Sequence, residues 1–406
     1  MMRSATLDWL CVLVTDGTHD SPKLQTTGVP FIKGKHISQG FVDFATCDFI
    51  TEADHQEACR RVKPQAGDIL FSNIGSVGDT AWVPVSREFS IKNVALFRPN
   101  PTKVDPRYFY YLVASPAFRD SLLNLRSGSA QPFISLATLR SYATAYHVDR
   151  TEQCRIASIL SAFDDLIENN TRRIAVLEEM ARRIYEAWFV HFRFPGHERV
   201  RMVESELGPV PEGWAIKAFD EVATFTNGYA FKPDDWTNEG VPIIKIKELK
   251  AGIQADTPRY AGSLAEKYKI ENGDLLFSWS ADLDVYVWAG GEGWLNQHLF
   301  LVRSNVAEVS KFFLFHALRS AMPRFRSRSN GATMRHIKRS ALSEVCTIIP
   351  SSEIIRAFER MVAPQERLRM NLALANTNLR TTRDLLLPKL ISGELDVSAL
   401  PEAVAA

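Results

Sequence analysis

The chain has 406 residues, 46% of them hydrophobic, and a formal net charge of +1 at pH 7. This is enough apolar material for two cores of ordinary domain size. It contains no run of about 18 apolar residues and no apolar stretch near its start, so we expect neither a membrane span nor a secretory signal. The five cysteines form no CxxC pair, which indicates reduced side chains in the cytoplasm rather than disulfides or zinc ligands.

Residues 1–148 are predicted to form a first mixed domain. Short β-rich runs alternate with Gly, Pro, Asp and Asn turns, and an aromatic-rich segment predicts a single helix over 106–124. Lys33 and Lys35 alternate along one of the β-rich runs. We therefore expect both lysines to project from the same face of a sheet.

A long heptad-patterned segment follows, and we predict a first spacer helix over 149–194. Its apolar residues recur at alternating steps of four and three, the pattern of a coiled-coil seam in which Asn170 is the polar position. About 33 residues of helix span about 50 Å. The predicted seam contains Ile156, Leu160, Phe163, Ile167, Asn170, Ile174, Leu177, Ala181, Ile184 and Trp188.

The second half of the chain repeats the first. The sequence GVPFIKGK at 28–35 returns as GVPIIKIK at 240–247, and GDILFS at 67–72 returns as GDLLFS at 273–278. After a linker over 195–212, we therefore predict a second domain over 213–350. In the repeat Lys245 and Lys247 take the places of Lys33 and Lys35, and the counterpart of the aromatic helix is expected over 309–322.

A second heptad-patterned segment predicts a second spacer helix over 351–392, followed by a C-terminal tail over 393–406. Pro364 interrupts this pattern and predicts a kink or local break. The predicted seam includes Phe358, Leu368, Leu372, Leu379 and Leu386. The fold class is thus α+β: two similar domains joined and separated by two long antiparallel coiled-coil helices, with approximate two-fold symmetry. Two similar domains held apart by two long helices suit a long, nearly symmetric ligand such as duplex DNA.

Motifs for nucleotides, cofactors and metals are missing from the sequence. It has no P-loop, no GxGxxG after a strand, no adenine-methyltransferase motif, no HExxH and no His/Cys metal spacing. Asp234, Glu248 and Lys250 fit the short PD…ExK pattern of metal-dependent nucleases, so a stand-alone nuclease is one alternative. A coiled-coil scaffold that binds only protein is another.

The remaining polar features are typical of DNA binding. Residues 324–339 carry six fixed positive charges and no negative one, and their short polar side chains suit contact with phosphates and base edges. Arg and Gln side chains also suit bidentate pairing with bases. Comparison of the repeats, with Lys92-Asn93 set against Gln297-His298, gives further candidate readers. The candidate DNA contacts are Lys33, Lys35, Asn73, Asn93, Arg126, Gln131, Lys245, Lys247, Trp279, Gln297, His298, Arg326, Arg328, Asn330, Thr333 and Arg335.

Several motifs, in this order, resemble the specificity (S) subunits of type I restriction-modification systems. They are DGTHDSP at 16–22, GSAQP at 128–132, IASILSAFDDLIENN at 156–170, PEGW at 211–214, NGYAFK at 227–232, GATM at 331–334 and LPKLISGEL at 387–395. Together they span nearly the whole chain. The first domain departs from the second in having no PEGW at its start.

The resemblance implies two target-recognition domains, each reading one half of a split, asymmetric site in double-stranded DNA. It implies that the helices measure the distance between the halves and dock two methyltransferase (M) subunits, and that a restriction (R) subunit joins them. Adenine methylation with S-adenosylmethionine and ATP-driven cleavage with Mg²⁺ would then belong to the partners. This chain would bind no cofactor and would be non-catalytic by itself.

Overall fold

A computed structural model describes residues 1–38, 40–75, 77–83, 87–125, 133–254, 256–329 and 336–399. The chain divides into two compact units. Unit 1 comprises Met1–Asp165 with Arg380–Ala406, and unit 2 comprises Leu166–Leu379. None of the helices within the described ranges is long and apolar enough to cross a membrane.

The strands of unit 1 form a main sheet and smaller ones beside it. The main sheet has the order β2-β10-β7-β8, a second sheet has the order β6-β3-β9, and two pairs are β1-β11 and β4-β5. Strands β3 and β9 are parallel. The strands are β1 Met2–Thr6, β2 Cys11–Asp16, β3 Val29–Ile32, β4 Ile37–Ser38, β5 Phe41–Val42, β6 Asp48–Ile50, β7 Ile69–Phe71, β8 Thr80–Trp82, β9 Ser90–Ile91, β10 Ala95–Pro99 and β11 Ala143–His147.

The short helices of unit 1 begin at side chains that accept a hydrogen bond from the first helical turn. They are α1 Leu7–Leu10, α2 Glu52–Cys59, α3 Pro106–Ala114, α4 Pro116–Leu123 and α5 Leu136–Ser141. The prediction of one helix over 106–124 is wrong, because Ser115 is extended and its hydroxyl caps α4 through the Phe118 N–H. Pro116 favours this boundary, since proline disfavours a helical conformation in the residue before it.

The first long helix, α6, runs over Arg150–Tyr185 and ends in a π-helical turn at Glu186–Val190. Along it the predicted seam positions Ile156, Leu160, Ile167, Ala181 and Trp188 are buried. The other seam positions are half-buried, namely Phe163, Asn170, Ile174, Leu177 and Ile184. The heptad pattern therefore identifies the inward face of this helix.

Unit 2 repeats the sheet order of unit 1. Its main sheet is β15-β22-β19-β20, its second sheet is β17-β16-β21-β18 with β16 and β21 parallel, and its pairs are β14-β23 and β12-β13. The strands are β12 Met202–Val203, β13 Val210–Pro211, β14 Ala215–Ala218, β15 Ala223–Asn227, β16 Val241–Ile244, β17 Arg259–Tyr260, β18 Lys269–Ile270, β19 Leu275–Ser278, β20 Asp284–Val287, β21 Gly293–Leu295, β22 Leu299–Ser304 and β23 Cys346–Ile349.

The short helices of unit 2 are α7 Phe219–Val222, α8 Ile246–Ala251, α9 Lys311–Ser327 and α10 Ala341–Glu344. Helix α9 is the counterpart of α3 and begins at Ser310, whose hydroxyl accepts from the Phe313 N–H. Three-residue 3₁₀ turns occur at Gly34–His36, His197–Arg199, Pro233–Asp235 and Glu266–Tyr268.

The second long helix, α11, runs without interruption over Ser352–Ser392. Of the two outcomes predicted for Pro364, a kink or a local break, the local break is therefore wrong. A proline removes one backbone donor and crowds the preceding turn, but the inward side chains around it are well packed. Phe358 and Val362 are fully buried and Ala363 is 5% exposed, so the helix is held from its inner face.

The inward face of α11 differs from its predicted seam. Phe358 and Leu372 are buried and Leu379 and Leu386 are half-buried. Leu368, however, is 39% exposed, so its assignment to the seam is wrong. The buried stripe passes instead through polar residues, namely Glu366, Arg369, Asn376 and the half-buried Arg383.

Arg369, Asn376 and Arg383 have partners on α6 within their own unit, and Glu366 pairs with Arg369 and with His316 on α9. In unit 1, Arg383 Nη1 donates to Asp164 Oδ1 at 2.6 Å. In unit 2, Asn170 Nδ2 donates to Asn376 Oδ1 at 2.9 Å, and Arg369 Nη1 lies 3.4 Å from Glu178 Oε1. In unit 2 the residue numbers fall along α11 as they rise along α6, so the paired segments are antiparallel there.

Candidate nucleic-acid interface

One edge of the main sheet gathers the polar tips of each unit. In unit 1, Ala95 at the start of β10 pairs with both Asp16 and Phe71, the last residues of β2 and β7. In unit 2, Phe300 pairs in the same way with Asn227 and Phe277. We call the segments just beyond these strands the polar edge: residues 17–20, 72–75 and 92–94 in unit 1, and 228–231, 279–281 and 296–298 in unit 2.

A glycine at the same place in each unit allows the polar edge to form. A Cβ atom on Gly17 would lie 2.1 Å from the Ile91 carbonyl oxygen, and one on Gly228 would lie 2.2 Å from the Asn296 carbonyl oxygen. No side chain fits such a gap, so the backbone after β2 or β15 can approach the neighbouring strand only through glycine.

The structure corrects the alignment of the two polar edges. Thr18 bridges to Lys92 and Tyr229 bridges to Asn296. The next N–H groups also match, since Asn93 donates to the Thr18 carbonyl and Gln297 donates to the Tyr229 carbonyl. Asn93 therefore corresponds to Gln297, and the comparison of Asn93 with His298 is wrong by one residue because unit 2 has an extra residue before β22.

Asn93 and Gln297 are half-buried at the polar edge, where their side chains can reach a ligand. Asn93 has a left-handed backbone, with φ 51°. Its Oδ1 lies 2.8 Å from His19 Nδ1, so the imidazole donates to the amide oxygen. Gln297 Oε1 accepts from Asn296 Nδ2 at 3.5 Å. His298 packs with its ring centroid 5.8 Å from that of Trp279.

Asn73 and Trp279 occupy equivalent positions, and both are engaged within the protein. Asn73 is only 4% exposed, and its Nδ2 donates to the Ile134 carbonyl at 3.1 Å. Trp279 is half-buried, and its indole N–H donates to the Gln297 carbonyl at 3.1 Å. The expectation that Asn73 reads a base is therefore wrong for its side chain as placed, because a buried amide cannot reach the groove.

The lysine pairs do not lie on strands, and the expected alternation on one sheet face is wrong. Strand β3 ends at Ile32 and β16 ends at Ile244. A side chain three residues beyond each lysine caps the turn: the Lys33 N–H donates to His36 Nδ1, and the Lys245 N–H donates to Glu248 Oε2, both at 3.0 Å. These caps bend the chain into a 3₁₀ turn or a helix.

The lysines differ in how strongly the protein holds them. Lys33 Nζ lies 2.8 Å from Asp48 Oδ2, and this hydrogen bond holds the pKa of the Asp48 carboxyl below its ordinary value. Lys35 is 64% exposed, with its Nζ 3.8 Å from the same oxygen.

In unit 2, Lys245 Nζ lies 3.8 Å from the centre of the Trp236 ring, and burial lowers the pKa of its amine. Lys247 Nζ lies 2.6 Å from Asp256 Oδ2 at the surface. Lys35 and Lys247 are thus the members of each pair with the more exposed side chains.

Of the residues in the PD…ExK pattern, Glu248 has a structural role and the other two lie at the surface. Glu248 is 1% exposed and accepts from the Lys245 N–H and from the Thr257 hydroxyl. Lys250 pairs with Asp282 at the surface, and Asp234 is exposed in a 3₁₀ turn. Within the described ranges, no group of three or more His, Cys, Asp or Glu side chains is placed to hold a metal ion.

The basic segment of unit 2 begins at the end of α9. Arg326 is exposed, and its Nη2 donates to the Leu283 carbonyl at 2.8 Å. Arg328 Nε lies 3.5 Å from Glu344 Oε2. Five candidate DNA contacts lie outside the described residues: Arg126, Gln131, Asn330, Thr333 and Arg335.

Three residues near Asn93, namely Asp16, His19 and Arg61, were not predicted from the sequence. His19 lies 3.3 Å from Asp16, and the buried Asp16 also accepts from Arg61 Nε at 2.8 Å. Two of them stand in the DGTHDSP motif, whose density of polar residues at the end of a strand was the available signal. Arg61, 45 residues further along the chain, gave none.

This architecture defines a class of protein: a duplicated recognition module in which one sheet frame carries two different sets of polar tips beside long paired helices. The model of the family described as type I restriction modification DNA specificity domain matches residues 17–179 and 211–365. The chain belongs to this family. It is a DNA-recognition subunit and is not itself catalytic, and the nuclease and scaffold alternatives are not supported.

Known proteins similar to the chain carry the same description. The type I restriction enzyme MjaIX specificity subunit of Methanocaldococcus jannaschii is 27% identical over 369 residues, covering 86% of this chain and 82% of that protein. The putative MjaX specificity subunit of the same organism is 24% identical over 342 residues, covering 82% and 79%. The crystal structure of a type I restriction-modification S subunit from M. genitalium has the same fold, with a TM-score of 0.56 at 15% identity, covering 98% of this chain and 97% of that one.

Proposed function

We propose that each unit reads one half of an asymmetric, bipartite site in double-stranded DNA. The observation that carries this proposal is the combination of a shared frame with unshared tips. Gly17 and Gly228 make the same close approach, yet the neighbouring edge residues are His19 and Asn93 in unit 1 and Ala230 and Gln297 in unit 2. Side chains with different donors and acceptors on the same frame select different bases.

Positioning and base reading fall to different residues. Exposed cations such as Lys35 and Arg326 suit contact with phosphates, which fixes the register of a protein on DNA without reading its sequence. Lys247 is also exposed and suits such contact where it exchanges its pairing with Asp256 for a phosphate. Asn93 and Gln297 have amide groups at the polar edge and suit contact with bases. Arg126, Gln131, Asn330, Thr333 and Arg335 remain proposed contacts on the strength of their chemistry alone.

We assign the chemistry of the complex to partner subunits. Two methyltransferase (M) subunits would dock on the long helices and transfer methyl groups to adenine from S-adenosylmethionine. Restriction (R) subunits would supply cleavage driven by ATP with Mg²⁺. Membership in the specificity family supports these partners, and the duplicated frame supports two copies of M because it offers the same surface twice. The assembly would act in the cytoplasm, where the host DNA lies.

Methylome sequencing of the host, with and without this gene, tests the proposal. The parent strain should carry one methyl-adenine motif made of two different half-sites separated by unread base pairs. Deletion of the gene should remove that motif and leave other methylation unchanged. A methylome that is the same in both strains, in cells that express the partner methyltransferase, would contradict the proposed function.

A further inference from the structure

At the polar edge of unit 1, two contacts link three side chains in a series that cannot be repeated in unit 2. It runs from Asp16 through His19 to Asn93. The corresponding residues of unit 2 are Asn227, Ala230 and Gln297. The methyl group of Ala230 makes no hydrogen bond, so the middle link is missing there.

Burial and charge fix the inner end of this series of contacts, Asp16. Asp16 is the last residue of β2 and is 5% exposed. Arg61 Nε donates to its Oδ1 at 2.8 Å and to its backbone carbonyl at 3.2 Å. The other carboxylate oxygen, Oδ2, lies 3.3 Å from His19 Nε2. An imidazole with a hydrogen on both ring nitrogens donates to this carboxylate and to Asn93 together. In that form the carboxylate restricts the orientation of the ring, although 55% of the His19 side chain is exposed.

The outer end of this series of contacts is the amide of Asn93. The backbone of Asn93 is held in the left-handed region, and its N–H donates to the Thr18 carbonyl at 3.2 Å. Its side-chain oxygen lies 2.8 Å from His19 Nδ1. The amide oxygen is thus committed to His19. Within the described part of the chain the Nδ2 group makes no hydrogen bond, so unit 1 presents an oriented donor at its edge.

A committed oxygen restricts which base the amide can pair with. Adenine is read by an asparagine that accepts from N6 and donates to N7 at the same time, which requires the amide oxygen to be free. Guanine presents two acceptors, O6 and N7, in the major groove and requires only donors. The two hydrogens of Asn93 Nδ2 therefore match the two acceptors of guanine, whereas thymine and adenine each offer one acceptor there, and the bidentate contact with adenine is excluded.

We propose that His19 is a positioning residue that holds Asn93 as a donor, and that Asn93 reads a guanine in the half-site of unit 1. The inference rests on the proposed function and identifies one base and the residues that select it. Removal of His19 frees the amide oxygen, so the same asparagine can then pair with adenine as well.

The test compares methylomes of a host that lacks the gene and carries the full-length chain as the parent, H19A, H19Q, N93A or Q297A. H19A should accept adenine as well as guanine at one position of the motif, which raises the number of methylated sites about twofold. N93A should accept all four bases at that position, which raises the number about fourfold. H19Q should retain the parent motif, because a glutamine amide can also donate to Asn93 Oδ1. Q297A, changed at the matching position of unit 2, should alter the other half-site only.

Several results would overturn the inference. One is a parent motif with no guanine at the position that N93A relaxes. A second is an H19A motif identical to the parent motif, and a third is loss of methylation in both H19A and H19Q. In each of these cases the parent still has its bipartite motif, whereas failure of the proposed function removes that motif from the parent itself.

Discussion

The contact between Asp164 and Arg383 is predicted to dominate the pairing of the long helices in unit 1. Asp164 is 5% exposed and accepts from the Tyr111 hydroxyl and from Arg383 Nη1, each at 2.6 Å. Replacing Asp164 by Asn retains an acceptor for Tyr111 and removes the charge that faces Arg383. Breaking a buried ion pair from one side costs about 3–5 kcal/mol. Arg383 keeps a second contact with the exposed Asp384, so we expect the lower end, about 3 kcal/mol.

A double-mutant cycle separates this interaction from general damage. Arg383→Met alone leaves Asp164 in contact with Tyr111 and with Arg107 at 3.8 Å. We expect this variant to lose about 2 kcal/mol of the free energy of unfolding. The double variant D164N/R383M has neither charge and should fall within about 1 kcal/mol of the parent, since replacing a buried pair is often neutral. Asp165→Asn, at the exposed neighbouring residue, is the matched control and should change stability by less than about 0.5 kcal/mol.

The assay is urea unfolding combined with amide hydrogen exchange in α3, which packs in the same unit and reports the free energy of its opening. Three results would contradict the predicted role of this ion pair. D164N could cost no more than D165N, the two single effects could add within about 0.5 kcal/mol in the double variant, or the double variant could be the least stable of all.

Three further predictions follow from other contacts. Burial opposes ionisation of Glu366, but His316 and Arg369 outweigh it and hold the pKa of the Glu366 carboxyl below its ordinary value of 4.5. The ionised carboxylate therefore stabilises the fold above pH 4.5, and this contribution is lost as the pH falls through the lower pKa of the folded state. Urea unfolding should show E366Q well below the parent at pH 7, with a gap that narrows below pH 4.5; a constant gap would contradict this sign. Gly17→Ala and Gly228→Ala should each cost more than about 2 kcal/mol in thermal unfolding, because the added Cβ meets a carbonyl oxygen; fully stable variants would show that the edge backbone can shift freely. In salt titrations of DNA binding, Lys35→Ala should lower the slope of log K against log salt concentration by about 1. Lys33→Ala should lower it by less, since Asp48 already neutralises Lys33. A slope for Lys35→Ala equal to that of the parent would show that Lys35 does not contact DNA.

The duplicated frame was predictable from sequence because it depends on local signals. The GVP and GD repeats mark the starts of corresponding strands, and the structure gives both halves the same sheet order. The apolar heptads of α6 also identify its inner face, since Ile156, Leu160 and Ile167 are buried.

The inner face of α11 was not predictable in the same way. Glu366, Arg369 and Asn376 are buried because partners elsewhere in the fold satisfy them. A pattern search that favours apolar residues selects Leu368 instead, which is 39% exposed. Long-range pairing of polar side chains leaves no periodic signal in one segment of sequence.

The candidate site was predictable in its position and less so in its residues. The sequence identified Asn93 and Gln297 but misaligned the repeats by one residue, because the extra residue before β22 shows only in the bridges. It placed lysines on a strand where His36 and Glu248 cap a turn. It also treated Asn73 as a reader, although the Ile134 carbonyl occupies its amide.

Selection from a random library of duplex DNA tests whether each unit reads its own half-site. The chain, purified with its partner methyltransferase, is incubated with the library, and the bound DNA is sequenced. We expect two half-sites of different sequence at a fixed separation, and Asn93→Ala should degrade one of them while Gln297→Ala degrades the other. A single continuous motif, two identical half-sites, or loss of both halves in either variant would contradict this expectation.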